Sequence, residues 1–245
     1  MRGMIGDKEV PYQLSVFASS VDYYRRLEEG GLRPGVVAGH SLGEYAAAFA
    51  AGAFALEDGA WLVAERDRFM RQAAEESPGR MIAIIGADAW QVAEAVEAVE
   101  GTVVVANFNT PRQTVISGEE AALEEAAGLV VSGRKRGLDV AGAFHSPLMQ
   151  QASLEMDALL SQVHLEDPEI PLVSGLDGSV LERADDVRLA LRNQMLSPVR
   201  WVAVVERFAS LGIEEMVEAG GGTLVRMLRD FKDVEIKGWT AGEVL

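Results

Sequence analysis

The chain has 245 residues, 49% of them hydrophobic, which suits one large domain or one domain with a smaller one inserted. Its formal net charge of −16 at pH 7 argues against nucleic acid and anionic membranes as partners, because both bind positive surfaces. The absence of cysteine excludes disulfides and thiolate sites, and the lack of a signal-peptide pattern or a bilayer-length apolar run predicts a cytoplasmic protein.

The first part of the chain is predicted to place one strand among three helices. Residues 9–28 have apolar side chains at spacings of three or four, which indicates a helix. An apolar strand at 35–38 and a helix at 43–53 follow. A further helix begins near the acidic residues 57–58 and runs to about residue 76.

A smaller domain is predicted over residues 79–141, after a Ser-Pro-Gly break. Its segments have the order strand, helix, strand, strand, helix, strand, which is typical of a ferredoxin-like fold. These segments are 81–85, 90–99, 102–107, 113–118, 119–131 and 135–140.

The large domain is predicted to comprise residues 1–78 and 142–245. Beyond residue 142 the predicted elements are a helix at 146–163, a strand at 172–174, helices at 184–195 and 199–211, a strand at 214–218 and a helix at 223–231. Strands that alternate with helices predict an α/β fold with a parallel sheet covered on both faces.

Residues 39–43, Gly-His-Ser-Leu-Gly, stand between the predicted strand and the helix. In that context the pattern indicates a nucleophile elbow, in which a sharp turn exposes the hydroxyl of Ser41. The hydroxyl would then lie at a helix N-terminus, where the Leu42 N–H can stabilise an oxyanion. A plain tight turn is the alternative.

A serine nucleophile needs a base, and the chain has three histidines. His40 adjoins the serine and is expected to point away from it, either packing structurally or lying beside the pocket. His164 lies in a polar helix-to-loop segment and is expected to be solvated. His145 follows a stretch of small residues and is the preferred base, with a buried structural histidine as the alternative. Asp139 is the nearest acidic residue that could orient it, but its placement leaves the third member open.

Arg66 is predicted to lie on the buried face of the helix at 57–76, in register with Leu62 and Phe69. A guanidinium in such a place requires an anion. The sequence leaves two candidates open, a structural carboxylate and a carboxylate on a substrate.

Several separated motifs together resemble the malonyl-CoA:acyl-carrier-protein transacylase family, which includes acyltransferase domains of fatty-acid and polyketide synthases. They are Gly-His-Ser-Leu-Gly-Glu-Tyr at 39–45, Asn-Phe-Asn at 107–109, Val-Ile-Ser-Gly at 115–118, Phe-His-Ser-Pro-Leu-Met at 144–149, Asn-Gln at 193–194 and Pro-Val-Arg-Trp at 198–201. The resemblance runs from about residue 9 to residue 231.

The resemblance implies an α/β-hydrolase-like large subdomain with a ferredoxin-like insertion. It also implies malonyl transfer from malonyl-CoA, as substrate, to the phosphopantetheine thiol of an acyl carrier protein, with no cofactor and no metal. The implied catalytic residues are Ser41, His145, Leu42 and Gln194, the last orienting the histidine through its backbone carbonyl. The implied substrate-binding residues are Arg66, His40, Phe144 and Asn107.

Two departures from the family pattern stand out. The Gly-Gln-Gly-Ser-Gln loop, which supplies an oxyanion N–H in the family, has no match near the opening residues 1–6. Residues 218–222, Glu-Ala-Gly-Gly-Gly, replace the usual Gly-Pro-Gly turn. Two other functions stay open: a thioesterase or esterase built on the same elbow, and, from the first departure, a pseudoenzyme that binds acyl-CoA or a partner chain. An acidic carrier protein would need a basic surface, for which residues 134–136 beside Arg112 are the candidate, with a solvated turn as the alternative.

Overall fold

The computed structural model describes residues 4–5 and 8–245. Most of the opening residues compared with the family loop therefore lie outside the described part. The first elements are strands β1 (Met4–Ile5) and β2 (Lys8–Glu9), helix α1 (Tyr12–Glu29), strand β3 (Val37–Ala38) and helices α2 (Gly43–Ala50) and α3 (Leu56–Glu76). Helix α1 begins three residues later than predicted, because residues 8–9 pair with residues 4–5 and Pro11 takes the N-cap position.

The next elements form a four-stranded antiparallel sheet with two helices. They are β4 (Arg80–Ile85), α4 (Ala89–Glu97), β5 (Val103–Thr110), β6 (Gln113–Gly118), α5 (Glu120–Leu129) and β7 (Arg134–Gly137). The strand order is β5-β6-β4-β7, and buried apolar side chains of α4 and α5 pack on the sheet. This is the predicted ferredoxin-like arrangement. The limits at residues 79 and 141 stay a prediction.

The remaining elements return to the large part of the molecule. They are a 3₁₀ turn (Pro147–Met149), α6 (Gln150–Leu160), β8 (Leu172–Val173), β9 (Val180–Leu181), α7 (Ala184–Asn193), α8 (Trp201–Ser210), β10 (Glu215–Glu218), α9 (Thr223–Met227), a 3₁₀ turn (Leu228–Asp230), β11 (Lys237–Thr240) and α10 (Ala241–Val244). The helix predicted from residue 146 thus begins as a 3₁₀ turn, whose N-cap Ser146 accepts the Leu148 N–H at 3.2 Å. Strands β9 and β11 and helix α10 were not predicted.

The three-stranded sheet of the large part has the order β3-β8-β9 and lies between two hydrophobic layers. Val37 and Leu172 pack on the side of α1, α2, α3, α6 and α7, whereas Ala38 and Val173 pack on the side of α8. Alternate residues of one strand face opposite sides, so both faces are covered, as predicted.

The strands of the large part form both parallel and antiparallel pairs. Strands β3 and β8 are parallel, and so are β10 and β11, which form a separate two-stranded sheet. Strand β9, which was not predicted, extends this sheet antiparallel to β8, so the expected parallel pairing holds for β3 and β8 and not for β9. The cause is a tight turn between β8 and β9, in which Gly178 adopts a φ of 75° and its N–H donates to the Ser174 carbonyl at 3.0 Å.

The two sheets are joined beside the elbow by the segment that precedes α8. The Val199 N–H donates to the Ala106 carbonyl at 2.9 Å, and the Phe108 N–H donates to the Val199 carbonyl at 2.8 Å. These bonds attach β5 to the large part, where Asn109 Oδ1 lies 2.8 Å from His40 Nε2. No helix in the described ranges, 4–5 and 8–245, has both the length and the hydrophobicity needed to cross a membrane.

The elbow depends on a glycine at residue 39, and the two glycines of the motif are not equivalent. A Cβ on Gly39 would lie 2.0 Å from the Gly43 carbonyl carbon and 2.1 Å from the Glu44 nitrogen, whereas a Cβ on Gly43 would meet nothing within 4 Å. We expect Gly39→Ala to lower the free energy of unfolding by about 3 kcal/mol, because backbone atoms must move. Gly43→Ala should be neutral or stabilising. Urea denaturation of both variants tests this, and equal stabilities would contradict it.

Candidate active site

Ser41 occupies the turn between β3 and α2 with a φ of 51°, a value that is uncommon for residues other than glycine. Ser41 lines a cavity. The neighbouring Leu42 is the N-cap residue of α2. Its N–H donates to no acceptor among the described residues, whereas the N–H groups of Gly43 and Glu44 donate to the His40 and Ser41 carbonyls at 3.0 Å. The turn is therefore the strained elbow that the sequence predicted.

His145 lies against this hydroxyl, 104 residues away in sequence. Its Nε2 is 2.8 Å from Ser41 Oγ, and its Nδ1 is 3.0 Å from the Gln194 carbonyl and 3.1 Å from the Ser197 carbonyl. Carbonyl oxygens only accept hydrogen bonds, so Nδ1 must carry the ring proton. The lone pair of Nε2 therefore faces Ser41, as a base requires.

Two carbonyls thus take the position that an aspartate holds in a Ser-His-Asp triad. Asp139 lines the cavity but makes no hydrogen bond to His145 in the described residues. The alternative in which Asp139 orients the base is therefore wrong. Burial, and secondarily the positive charge of Arg66, lower the pKa of His145 to about 4. The imidazole is therefore neutral, and able to accept a proton, at neutral pH.

Arg66 is 2% exposed and reaches the same hydroxyl from α3. Its Nη2 donates to Ser41 Oγ at 3.1 Å and to Gln194 Oε1 at 3.1 Å, and its Nη1 donates to Gln13 Oε1. Each of these acceptors is neutral. Its Nε has no partner among the described residues, and no carboxylate there lies within 4.0 Å of its guanidinium. Burial accordingly lowers its pKa. None of the groups that contact the guanidinium in the described residues is therefore an anion.

Asp67, which follows Arg66 on α3, forms its ion pair with a different arginine. Asp67 is paired with Arg71 at 2.8 Å and accepts the Gln13 N–H at 3.5 Å. Of the two sequence alternatives for Arg66, a structural carboxylate is therefore wrong within the described residues. An anion supplied from outside the chain remains.

Gln194 links all three of these residues. Its side-chain Nε2 donates to the Ser41 carbonyl at 2.9 Å and to Glu44 Oε2 at 2.5 Å, while its Oε1 accepts from Arg66. The second carboxylate oxygen of Glu44 accepts the Gly175 N–H at 3.0 Å. The elbow, the end of α7 and the loop after β8 are held together by this network.

Ser41 and Arg66 line a cavity of about 830 Å³. Its wall includes Leu42 and Phe144 beside Ser41, the first turn of α1 and residues 139–141. Tyr12, at the rim, is 77% exposed. The walls are mostly apolar and include one buried cation, Arg66, which suits a ligand that presents an acidic end to it.

The other predicted residues lie close by without lining the cavity. His40 Nε2 is 2.8 Å from Asn109 Oδ1, and its ring lies 5.8 Å from that of Trp201, so it packs beside the pocket. Asn107 is buried on β5, opposite Val199. A substrate-binding role for His40 and Asn107 stays a prediction.

His164 is exposed and pairs with Glu166 at 2.8 Å, which agrees with the expected solvated position.

Sequence reasoning missed Gln13, Glu44 and Ser197. Gln13 carried a usable signal, because it lies four residues before Phe17 and eight before Val21, on the buried face of α1. A polar residue in that register indicates a partner in the core. Glu44 had no such signal, because an acidic residue in the first turn of a helix is ordinarily a surface charge that stabilises the helix dipole.

Comparison with known proteins agrees with this geometry. Residues 7–220 match the acyl transferase domain family. The chain is 38% identical over 219 residues to the malonyl CoA-acyl carrier protein transacylase of Escherichia coli (strain K12), covering 87% of this chain and 71% of that protein.

Two solved structures are also similar. An acyl carrier protein S-malonyltransferase from Vibrio cholerae superposes with a TM-score of 0.88 at 33% identity, over 93% of this chain and 76% of the other. A malonyl-transacylase in complex with its type II PKS acyl-carrier protein superposes with a TM-score of 0.89 at 32% identity, over 93% and 76%. The chain belongs to the acyl transferase domain family, and its fold is that of the malonyltransferases.

Proposed function

We propose that this chain transfers a malonyl group from malonyl-CoA to the phosphopantetheine thiol of an acyl carrier protein, through an ester on Ser41. One observation carries the proposal: Ser41 Oγ lies 2.8 Å from His145 Nε2 and 3.1 Å from Arg66 Nη2. A nucleophile, a base and an unneutralised cation thus meet at one atom. The relatives named malonyl transacylases and S-malonyltransferases support the choice of substrate.

In the first half-reaction His145 Nε2 accepts the Ser41 proton as Oγ attacks the thioester carbonyl carbon. The Leu42 N–H donates to the oxyanion of the tetrahedral intermediate. The C–S bond then breaks, and His145 returns the proton to the sulfur of CoA. The Gln194 and Ser197 carbonyls stabilise the imidazolium through Nδ1–H while it carries both protons.

In the second half-reaction the carrier's thiol gives its proton to His145 and attacks the malonyl ester. The C–O bond breaks, and the proton returns to Ser41. Arg66 binds the malonyl carboxylate by charge-assisted hydrogen bonds in both halves. Each step is assigned to a side chain or a backbone group, so the proposal includes no resident cofactor.

The carrier partner is proposed from charge and from the relative solved with its own carrier. Strand β7 is exposed along its whole length and carries Arg134, Lys135 and Arg136 in a chain of net charge −16. Residues 139–141, which follow it, line the cavity. An acidic carrier docked at β7 would have its arm close to the cavity mouth. A cytoplasmic location and the domain limits at residues 79 and 141 belong to the same proposal.

Intact-mass analysis after mixing with malonyl-CoA tests the proposal. We expect the chain to gain the mass of one malonyl group and Ser41→Ala to gain none, because the ester is proposed to form on Ser41 Oγ beside its base. Ser15→Ala is the matched control, since Ser15 lines the same cavity with its hydroxyl bonded to the Tyr12 carbonyl. That variant should load normally.

Adding a carrier thiol should then remove the malonyl mass from the protein and place it on the carrier. A label retained in Ser41→Ala would contradict the nucleophile. A malonyl-enzyme that hydrolyses as fast without the carrier as with it would favour the thioesterase or esterase alternative. Failure of the intact chain to acquire any label would favour an acyl-CoA-binding pseudoenzyme.

A further inference from the structure

Glu44 carries a buried carboxylate that the proposed mechanism does not use. It is 1% exposed, and the described residues place no lysine or arginine within 4.0 Å of it. Its two oxygens instead accept one N–H each, from Gly175 at 3.0 Å and from the Gln194 side chain at 2.5 Å. Burial raises the pKa of this carboxyl. Keeping an acidic group in so unfavourable a place suggests a task that an uncharged side chain cannot perform.

That task follows from the chemistry of the Gln194 amide, which has a donor end and an acceptor end. An ionised Glu44 only accepts, so the amide must direct Nε2 toward it. Oε1 then points the other way, where it accepts from Arg66 Nη2 at 3.1 Å. If the amide turned over, its NH₂ group would oppose the guanidinium, and two donors would face each other.

Glutamine at residue 44 would not provide the same constraint. Two N–H groups converge on the Glu44 side chain, and the carboxylate offers an acceptor to each. A glutamine has one oxygen, so its own NH₂ would oppose either the Gly175 N–H or the Gln194 Nε2. The second case is relieved by rotation of the Gln194 amide, which removes the acceptor from Arg66 and also breaks the bond from Nε2 to the Ser41 carbonyl at 2.9 Å, the other contact that orients this amide.

We propose that Glu44 is a positioning residue for selection of the acyl group: by fixing the Gln194 amide, it holds the Arg66 guanidinium in the orientation that binds an acyl carboxylate. The residue acts through two intermediaries and does not itself touch the substrate. This inference rests on the proposed function, because it assigns Arg66 to the carboxylate of a malonyl group. Its signature is a loss of selectivity for malonyl over acetyl groups.

The test compares Glu44→Gln with Glu65→Gln, a matched removal of one negative charge. Glu65 precedes Arg66 on α3 and pairs with Arg68, at the surface. Acylation rates with malonyl-CoA and with acetyl-CoA are measured by quenched intact-mass analysis. We expect the malonyl-to-acetyl rate ratio to fall about 10- to 100-fold in Glu44→Gln, the effect of misplacing a binding group. The ratio should not change in Glu65→Gln.

Two further variants distinguish positioning from general support of the elbow. In an Arg66→Ala background, Glu44→Gln should change the ratio no further, because the guanidinium on which it acts is gone. Gln194→Met removes the amide but keeps the backbone carbonyl that orients His145, and should lower the ratio as Glu44→Gln does. Equal loss of both rates in Glu44→Gln, with the ratio intact, would overturn the proposal. An unchanged ratio in Gln194→Met would do so even if Glu44→Gln does not fold.

NMR spectroscopy tests the inference without a measurement of catalysis. In the ¹⁵N-labelled chain, the Gln194 side-chain amide, assigned by its loss in Gln194→Met, should exchange its protons slowly. In Glu44→Gln the chemical shift of this amide should change, and its protons should exchange with solvent faster. An unchanged, protected resonance would overturn the proposal. If Glu44→Gln shows this resonance change but the wild-type chain never loads malonyl, the proposed function fails while the positioning of the amide stands.

Discussion

Replacing His145 by alanine should slow the formation of malonyl-Ser41 by about 10⁴-fold, the upper end of what a positioned general base contributes. The imidazole is the one group in the described residues that both contacts Ser41 Oγ and has a free lone pair directed at it. The rate is measured by quenched intact-mass analysis with malonyl-CoA. His164→Ala is the control, because that ring is exposed and its one hydrogen bond among the described residues is to Glu166. A His145→Ala variant that loads at the wild-type rate would contradict this assignment of the base.

The same residue sets the expected pH dependence of acylation. Its pKa in the folded chain is lowered from 6.5 to about 4, so lowering the pH from 8 to 5 leaves the base neutral. The acylation rate should therefore fall with an acid midpoint near 4 instead of near 6.5. Arg66→Ala should move that midpoint upward, because the positive charge of Arg66 helps to lower the pKa. A midpoint near 6.5 would show that the imidazole is solvated.

This shift also affects stability. The unfolded chain binds a proton at His145 near pH 6.5, whereas the folded chain resists it down to about pH 4. Folding stability is therefore lost as the pH falls between these two values. Circular dichroism at each pH confirms that the rates refer to the folded chain.

Replacing Arg66 by alanine should reduce the malonyl-to-acetyl rate ratio by roughly 10- to 150-fold, which corresponds to about 1.5–3 kcal/mol for hydrogen bonds to a charged group. The ratio is informative because Arg66 also donates to Ser41 Oγ, so its loss can alter both rates. Arg71→Ala is the matched control: Arg71 lines the same cavity, but its charge is paired with Asp67. A strong malonyl preference that survives in Arg66→Ala would refute the carboxylate-binding role.

A second variant tests the same site without removing the cation. Gln13→Glu would place a carboxylate where Gln13 Oε1 now accepts from Arg66 Nη1. The internal anion would then compete with the malonyl carboxylate, so the ratio should fall as it does in Arg66→Ala. The thermal midpoint should not fall, because a new buried pair replaces an uncompensated charge. A ratio equal to that of the wild type would indicate that Gln13 does not adjoin the bound acid.

Local sequence was sufficient where one short stretch specified one structure. The elbow at residues 39–43 could be predicted because strand, turn and helix are adjacent, and Gly39 is sterically required there. The ferredoxin-like order of strands and helices followed from periodicity and turn residues in the same way. Strand β9 was not predicted because a strand of two residues shows no periodicity. The first helix was predicted to begin too early because Glu9, its first predicted residue, belongs to β2 and pairs with β1.

The sequence by itself determined the serine at an elbow, an arginine on a buried helical face and a small set of histidines from which a base could come. Only the tertiary structure decided which groups meet. His145 Nδ1 faces two backbone carbonyls instead of Asp139, and Arg66 is surrounded by amides and a hydroxyl instead of a carboxylate. Backbone carbonyls and neutral amides occur throughout any chain, so the residues taken alone did not single these groups out, and the Gln194 carbonyl was implied only by the family resemblance. Their convergence on one hydroxyl depends on long-range packing of α1, α3 and α7, which local sequence does not encode.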